Sequence, residues 1–252
     1  MIVRKTPEQV DKMALAGDVL VRCLKMLEAK ARAGVSTAEL DAAAEKFIRS
    51  QGATPAFKGY RGFPGSICAS PNSMVVHGIP GPYELKRGDI LSVDVGVVKD
   101  GWVADAAMTV PVGAVGPEAE KLLAVTKASL FAGVEQMRRG NHLGDVSAAI
   151  QQAVESEGLS IIRTLVGHGI GREMHDEPQV PNFGEPGKGP ELEEGMVLAI
   201  EPMVNVGGPR VRMDEDGWSV FSEDDTLAAH FEFTVAVTAD GPRILTPWHE
   251  AE

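Results

Sequence analysis

Four carboxylates stand where a folded chain ordinarily places apolar side chains. Asp94 lies within Leu91-Ser92-Val93-Asp94-Val95-Gly96-Val97, and Asp105 within the facing run 102–112. Glu201 ends the run Met196-Val197-Leu198-Ala199-Ile200, and Glu232 sits in Phe231-Glu232-Phe233-Thr234-Val235. A carboxylate inside such a strand is costly unless it is paired or bound to a cation. One of these alone reads as an acid on a solvated strand face. Four of them, with His168 in Gly167-His168-Gly169-Ile170-Gly171 after another strand-like run, point to a metal centre. Imidazole and carboxylate are ordinary ligands of divalent first-row ions, and four negative charges suit two such ions. An oxygen-rich set favours Mn²⁺, Fe²⁺ or Co²⁺; Zn²⁺ is also compatible. Structural zinc would want cysteines, and Cys23 and Cys68 alone do not supply it.

The spacing supports convergence. Asp100-Gly101 between two apolar runs is a two-residue hairpin signal. If that dipeptide is the turn, Asp94 faces Ala107 and Asp105 faces Gly96. The two aspartates are then diagonal neighbours on one face, with Cβ atoms about 7 Å apart. Carboxylates that close repel unless protonated or bridged. The chain also repeats itself. Leu85-Lys86-Arg87-Gly88-Asp89-Ile90-Leu91-Ser92-Val93-Asp94 aligns without gaps on Leu192-Glu193-Glu194-Gly195-Met196-Val197-Leu198-Ala199-Ile200-Glu201. Gly34 with the segment 36–43 resembles Gly140 with 143–149 at nearly the same offset. The sequence therefore predicts one domain over 1–252, made of two similar halves, approximately 1–112 and 113–252, that bring matching acids to one site.

The elements that must carry these residues are also marked. Thr6 and Gln9 form a capping box with Pro7 at the first helical position, and apolar residues then recur at steps of three and four up to Ala31, with Gly34 as the stop. Ser36 and Glu39 open a second helix with Leu40, Ala43, Ala44, Phe47 and Ile48 on one stripe. A third helix is expected from Pro117 to about Arg139, and a fourth capped by Asp145 and ending near Gly158. Strands are expected at 89–98, 102–112, 160–166, 196–204 and 231–238, with loops and short extended pieces over 53–88. His77 in Val76-His77-Gly78-Ile79-Pro80 and His175 in Met174-His175-Asp176-Glu177-Pro178 draw notice through their Gly- and Pro-rich settings.

At these residues the sequence resembles the type I methionine aminopeptidases. The motifs are Asn72-Ser73-Met74-Val75-Val76-His77-Gly78-Ile79-Pro80, Asp94-Val95-Gly96, Asp105, Gly167-His168-Gly169-Ile170-Gly171, His175-Asp176-Glu177-Pro178-Gln179-Val180 and Glu201-Pro202, spread over nearly the whole chain. The resemblance implies an α+β pita-bread fold, an antiparallel sheet flanked by helices around a pseudo-two-fold site. It implies that Asp94, Asp105, His168, Glu201 and Glu232 hold two divalent ions, with Asp105 and Glu232 bridging. It further implies Glu201 as general base, His175 at the scissile peptide, and His77 at the departing amide. Tyr60, Phe63, Cys68, Met174 and Trp218, with His77, would form the substrate pocket. Two departures stand out: Met174 where the family often has Phe, and Phe233 where it often has His, the latter removing an expected partner for the metal ligands. By the same resemblance the substrate would be a nascent chain at the ribosome with a small second residue, and the protein a monomer.

Composition sets outer bounds. The net charge of −12 disfavours direct nucleic-acid binding, and two cysteines in 252 residues suit a reduced compartment, hence the cytoplasm. Neither an apolar core of signal-peptide length at the N-terminus nor a membrane-spanning run is expected. The rival readings are an Xaa-Pro aminopeptidase of the same fold, a non-catalytic binding protein on that fold, and an acidic metal-storage or structural protein.

Overall fold

The computed structural model describes residues 2–250. The first half runs α1 (Pro7–Lys30), α2 (Thr37–Ser50), β1 (Thr54–Pro55), β2 (Cys68–Pro71), β3 (Met74–Val76), β4 (Ile90–Lys99) and β5 (Trp102–Pro111). The second runs α3 (Pro117–Glu135), α4 (Leu143–Glu155), β6 (Ser160–Ile161), β7 (Val166–Gly169), β8 (Asp176–Pro181), β9 (Val197–Ile200) and β10 (Met203–Asn205). It continues through β11 (Val211–Met213), β12 (Val220–Ser222), β13 (Ala228–His230), β14 (Phe233–Thr238) and β15 (Gly241–Ile244). The architecture is α+β, and the strand pairings are antiparallel. One sheet is the β4–β5 hairpin with β2 and β1 on β4; another is β15-β14-β9-β7-β8. Smaller sheets, β13-β10-β6 and β11-β12-β3, flank them. Helix α1 lies against β4 and β5, and α3 packs on α4, so a continuous apolar core runs between sheets and helices.

The hairpin forms as its turn chemistry dictates. Asp100 and Gly101 both take positive φ, 50° and 74°, the two-residue turn whose twist matches paired strands. The register follows: Asp94 faces Ala107 and Gly96 faces Asp105. The internal repeat is equally visible in hydrogen bonds. Gly34 N–H donates to Leu85 O at 2.8 Å, and Gly140 N–H donates to Leu192 O at 3.0 Å. Pro55 pairs with Val97, and Ile161 pairs with Val204, at the equivalent positions.

Several expected boundaries move for reasons the structure supplies. Helix α1 ends at Lys30 and α3 at Glu135, short of Gly34 and Arg139. Both glycines are left-handed, at φ 87° and 89°, but they join the strand entry of each repeat instead of closing a helix. Asp145 is the third residue of α4, not its cap; its carboxylate accepts the His142 N–H at 2.6 Å. The run 160–166 splits into β6 and the start of β7. The run 196–204 breaks at Glu201-Pro202, and β14 begins at Phe233, leaving Glu232 in the gap after β13.

The packing of α1 on the C-terminal strands gives a stability test. A Cβ at Gly17 would lie 2.0 Å from the Leu245 carbonyl oxygen. On an open helix Gly→Ala stabilises by about 1 kcal/mol. Here Gly17→Ala is expected to destabilise by about 1–3 kcal/mol in urea unfolding, with unchanged helix content. A gain in stability would contradict this packing.

Candidate metal centre

The acids converge because the strands that carry them abut. Thr234 on β14 accepts the Asp105 N–H at 3.0 Å through Oγ1 and returns its hydroxyl proton to Asp105 O at 2.7 Å. Glu232 N–H donates to Ala107 O at 2.9 Å. These bonds stitch the first half to the second and set Asp105 beside Glu232. Glu201 leaves the end of β9 at a proline, which lacks an N–H and so cannot continue the ladder. Asn182 donates to the Glu201 carbonyl at 3.0 Å and holds that break.

The donor atoms face one another. His168 Nε2 lies 3.6 Å from Glu201 Oε1 and 3.9 Å from Asp105 Oδ2. The other ring nitrogen, Nδ1, is 2.9 Å from Gly169 O and must donate to that carbonyl. The tautomer is thereby fixed with a lone pair on Nε2, as a metal-binding imidazole requires. Asp105, His168 and Glu232 bring ligand atoms within 4.8 Å of one another, as do Glu201, His230 and Glu232. Asp94 Oδ1, Asp105 Oδ1 and Glu232 Oε1 are buried without a hydrogen-bond partner. Buried carboxylate oxygens without a protein donor are what a cation would satisfy. The donor set therefore fits divalent metal.

Electrostatics agree. Burial pushes the Glu201 carboxyl up to about 8. Burial also raises Asp94, to about 6, against an opposing pull from His230. Asp105 and Glu232 stand well above the usual carboxylate range, first from burial and then from neighbouring carboxylates. Burial pushes His168 down to about 4.

A cavity of about 200 Å³ opens onto this cluster. Its wall includes Tyr60, Phe63, Cys68, His77, His175 and Trp218, all expected from the sequence. Phe63 packs edge-on against Trp218 with centroids 5.1 Å apart. Cys68 pairs with Asp94 across β2 and β4. Burial, then the nearby carboxylates, push its thiol well above the ordinary range in the metal-free protein. The His175 ring lies 4.2 Å from the His168 ring, and its Nδ1 is 2.9 Å from the Tyr60 hydroxyl. His77 takes a left-handed backbone, φ 59°, which points it into the cavity from the loop after β3.

Two expectations are corrected. Met174 does not line the cavity. It is buried behind the wall, in one apolar cluster with the wall residues Phe57, Phe63, Cys68, Tyr60 and Trp218, its methyl over Gly96. Phe233 does not face the metal ligands. It packs on Trp248 and His249 at centroid distances of 4.8 and 5.0 Å, so a histidine there would not reach them from that face. His230, in contrast, escaped the sequence reading. It lies two residues before Glu232, and strand periodicity places such a pair on one face. Phe57, Arg61, Val76, Leu165, Val166 and Met203 complete the wall and carried no separate signal.

Comparison with known proteins fits this geometry. Residues 11–239 match the family model for metallopeptidase family M24. The chain belongs to that family. Over 246 residues this M24 chain is 53% identical to a methionine aminopeptidase of Clostridium perfringens, covering 98% of this chain and 99% of the relative. A methionine aminopeptidase structure from Rickettsia prowazekii superimposes with a TM-score of 0.96 at 40% identity, covering 98% of this chain and all of that one. The architecture is thus the pita-bread fold of these enzymes. A prolidase from Pyrococcus furiosus, 20% identical with a TM-score of 0.79 and two-thirds (66%) covered, shares the fold. As an M24 metallopeptidase, the chain is a divalent-metal-dependent hydrolase.

The raised carboxylates set a pH dependence. A carboxyl whose folded pKa is raised stabilises the fold at low pH, and that contribution is lost as pH rises through the folded value. His168, His77 and His175, lowered by burial to about 4, act oppositely, but only below their ordinary 6.5. The melting temperature of metal-stripped protein is therefore expected to fall from pH 6.5 upward through about 8, where Glu201 loses its proton. Saturating Mn²⁺ should remove most of that slope. A flat or rising profile without metal would contradict the cluster's electrostatics.

Proposed function

We propose that this chain removes the N-terminal methionine from nascent proteins with a small second residue, using two divalent ions held by Asp94, Asp105, His168, Glu201 and Glu232. The observation that carries the reading is one cavity walled by buried, unpartnered carboxylate oxygens and by the apolar side chains of Phe63, Cys68 and Trp218. A thioether suits such a wall, since it is apolar and makes favourable contacts with aromatic edges. The ions, Mn²⁺, Fe²⁺, Co²⁺ or Zn²⁺, would supply a water of lowered pKa and polarise the scissile carbonyl.

The chain's own residues do the rest. Glu201, with one carboxylate oxygen 3.6 Å from His168 Nε2 and the other 3.6 Å from His230 Nε2, is assigned the proton transfers of the reaction. The Tyr60 hydroxyl lies 2.9 Å from His175 Nδ1, and with the hydroxyl as donor Nε2 of that ring carries the proton. His175 is then a neutral donor for charge developing on the scissile carbonyl oxygen. His77, held in the cavity wall by its left-handed backbone, is assigned the amide of the departing chain. The exposed Arg61 beside Tyr60 leaves the rim open to a peptide.

The nascent-chain substrate and ribosome association follow from the family likeness, as does a monomeric state. A cytoplasmic location suits the acidic chain with two free, buried cysteines. No helix among the described residues is long and apolar enough to cross a membrane. We further propose that residues 1–252 act as one catalytic domain.

Metal-stripped protein should release free methionine from Met-Ala-Ser only after Mn²⁺, Fe²⁺ or Co²⁺ is restored. Cleavage of Ala-Pro peptides with Met-Ala-Ser left intact would overturn the substrate assignment in favour of an Xaa-Pro peptidase. His175→Ala should keep metal uptake and lose turnover by about 100-fold or more. Unchanged turnover would remove His175 from the reaction.

A further inference from the structure

His230 carries a signal that the five-residue ligand set leaves unexplained. It is 2% exposed, and neither ring nitrogen has a hydrogen-bond partner. Its backbone is clamped: its N–H donates to Thr109 Oγ1 at 2.9 Å, and the Thr109 hydroxyl donates back to its carbonyl at 2.9 Å. Pairing of β13 with Met203 on β10 holds the same residue from the other side. The backbone is thus fixed, and the buried ring lines the cavity beside Glu201 and Glu232.

Its distances repeat those of His168. His230 Nε2 is 3.6 Å from Glu201 Oε2 and 3.9 Å from Glu232 Oε2, against 3.6 and 3.9 Å from His168 Nε2 to Glu201 Oε1 and Asp105 Oδ2. Such separations are too long for hydrogen bonds. They match donors arranged around one ion, where bonds of about 2.1 Å at tetrahedral angles separate ligand atoms by about 3.4 Å. Glu201 turns one oxygen to each imidazole. Glu201, His230 and Glu232 form a donor group of the same tightness as Asp105, His168 and Glu232.

We infer that His230 is a sixth protein ligand of the metal centre, binding through Nε2 in the donor group it shares with Glu201 and Glu232. The inference rests on the metal-dependent reading above and deepens it. The centre then carries two imidazoles, one on each side of Glu201. Adding a second imidazole to an oxygen-rich set shifts preference toward Co²⁺, Fe²⁺ or Zn²⁺ and away from Mn²⁺.

The test uses the full chain with ¹⁵N-labelled histidine, stripped of metal and titrated with Co²⁺ to two equivalents. Imidazole N–H resonances carrying the large contact shift of direct coordination are counted, those of His77 and His175 in the same cavity being identified through their single-residue variants, and the affinities are measured by calorimetry. Two shifted imidazoles are expected in the native protein. His230→Gln should lose one of them and weaken one Co²⁺ affinity by at least about tenfold, while His168 stays shifted. A single coordinated imidazole in the native protein would overturn the inference and leave His230 a buried neighbour of the ligands. Equal Co²⁺ affinities in native protein and a folded His230→Gln would overturn it as well. Absence of any Co²⁺ uptake would instead bring down the metal-dependent function itself.

Discussion

Mutual repulsion among buried carboxylates is the constraint on which the rest of the structure depends. Asp94, Asp105, Glu201 and Glu232 share one cavity, and three of them bury oxygens that no protein donor reaches. In water such groups would separate; here strands from two halves hold them together. The cluster can reach neutrality by taking protons, which the raised pKa values express, or by taking cations. Either way the fold must be rigid enough to resist separation. The exchange of bonds between Thr234 and Asp105, and the bond from Glu232 N–H to Ala107 O, supply that rigidity at the seam.

The repeat explains how one chain builds such a seam. Each half delivers a glycine-led strand entry, a short pairing onto the following strand, and a carboxylate at the equivalent place. Asp94 arises inside an unbroken strand because β4 continues past it to the Asp100-Gly101 turn. Glu201 arises at a break because Pro202 cannot extend the ladder. The second half is therefore the irregular copy, and its irregularity admits His168, His175 and the hairpin bearing Trp218 to the cavity.

Local chemistry made the first half of this centre legible in the sequence. Turn residues fixed the β4–β5 register, and a period of two placed Asp94 and Asp105 on one face. Capping boxes marked the starts of α1 and α2. What was not legible depends on partners distant in the chain. Gly34 and Gly140 carry the same backbone signal as helix stops, but their N–H groups bond to Leu85 and Leu192. Met174 and His175 are adjacent, and only the turn into β8 decides which one faces the cavity. His230 and Phe233 follow the alternation about Glu232, His230 on its face and Phe233 on the other, so that placement was legible and only the strand break between β13 and β14 was not.

The most direct test is a calorimetric titration of metal-stripped protein with Mn²⁺ at about pH 7, run in two buffers of different protonation enthalpy. Ions that replace protons on raised carboxylates should bind with net proton release, seen as a buffer-dependent heat. Saturable binding with proton release is the result this account requires. Absence of binding would contradict the conclusion that these four carboxylates form a cation site, and binding with no proton release would contradict their raised pKa values.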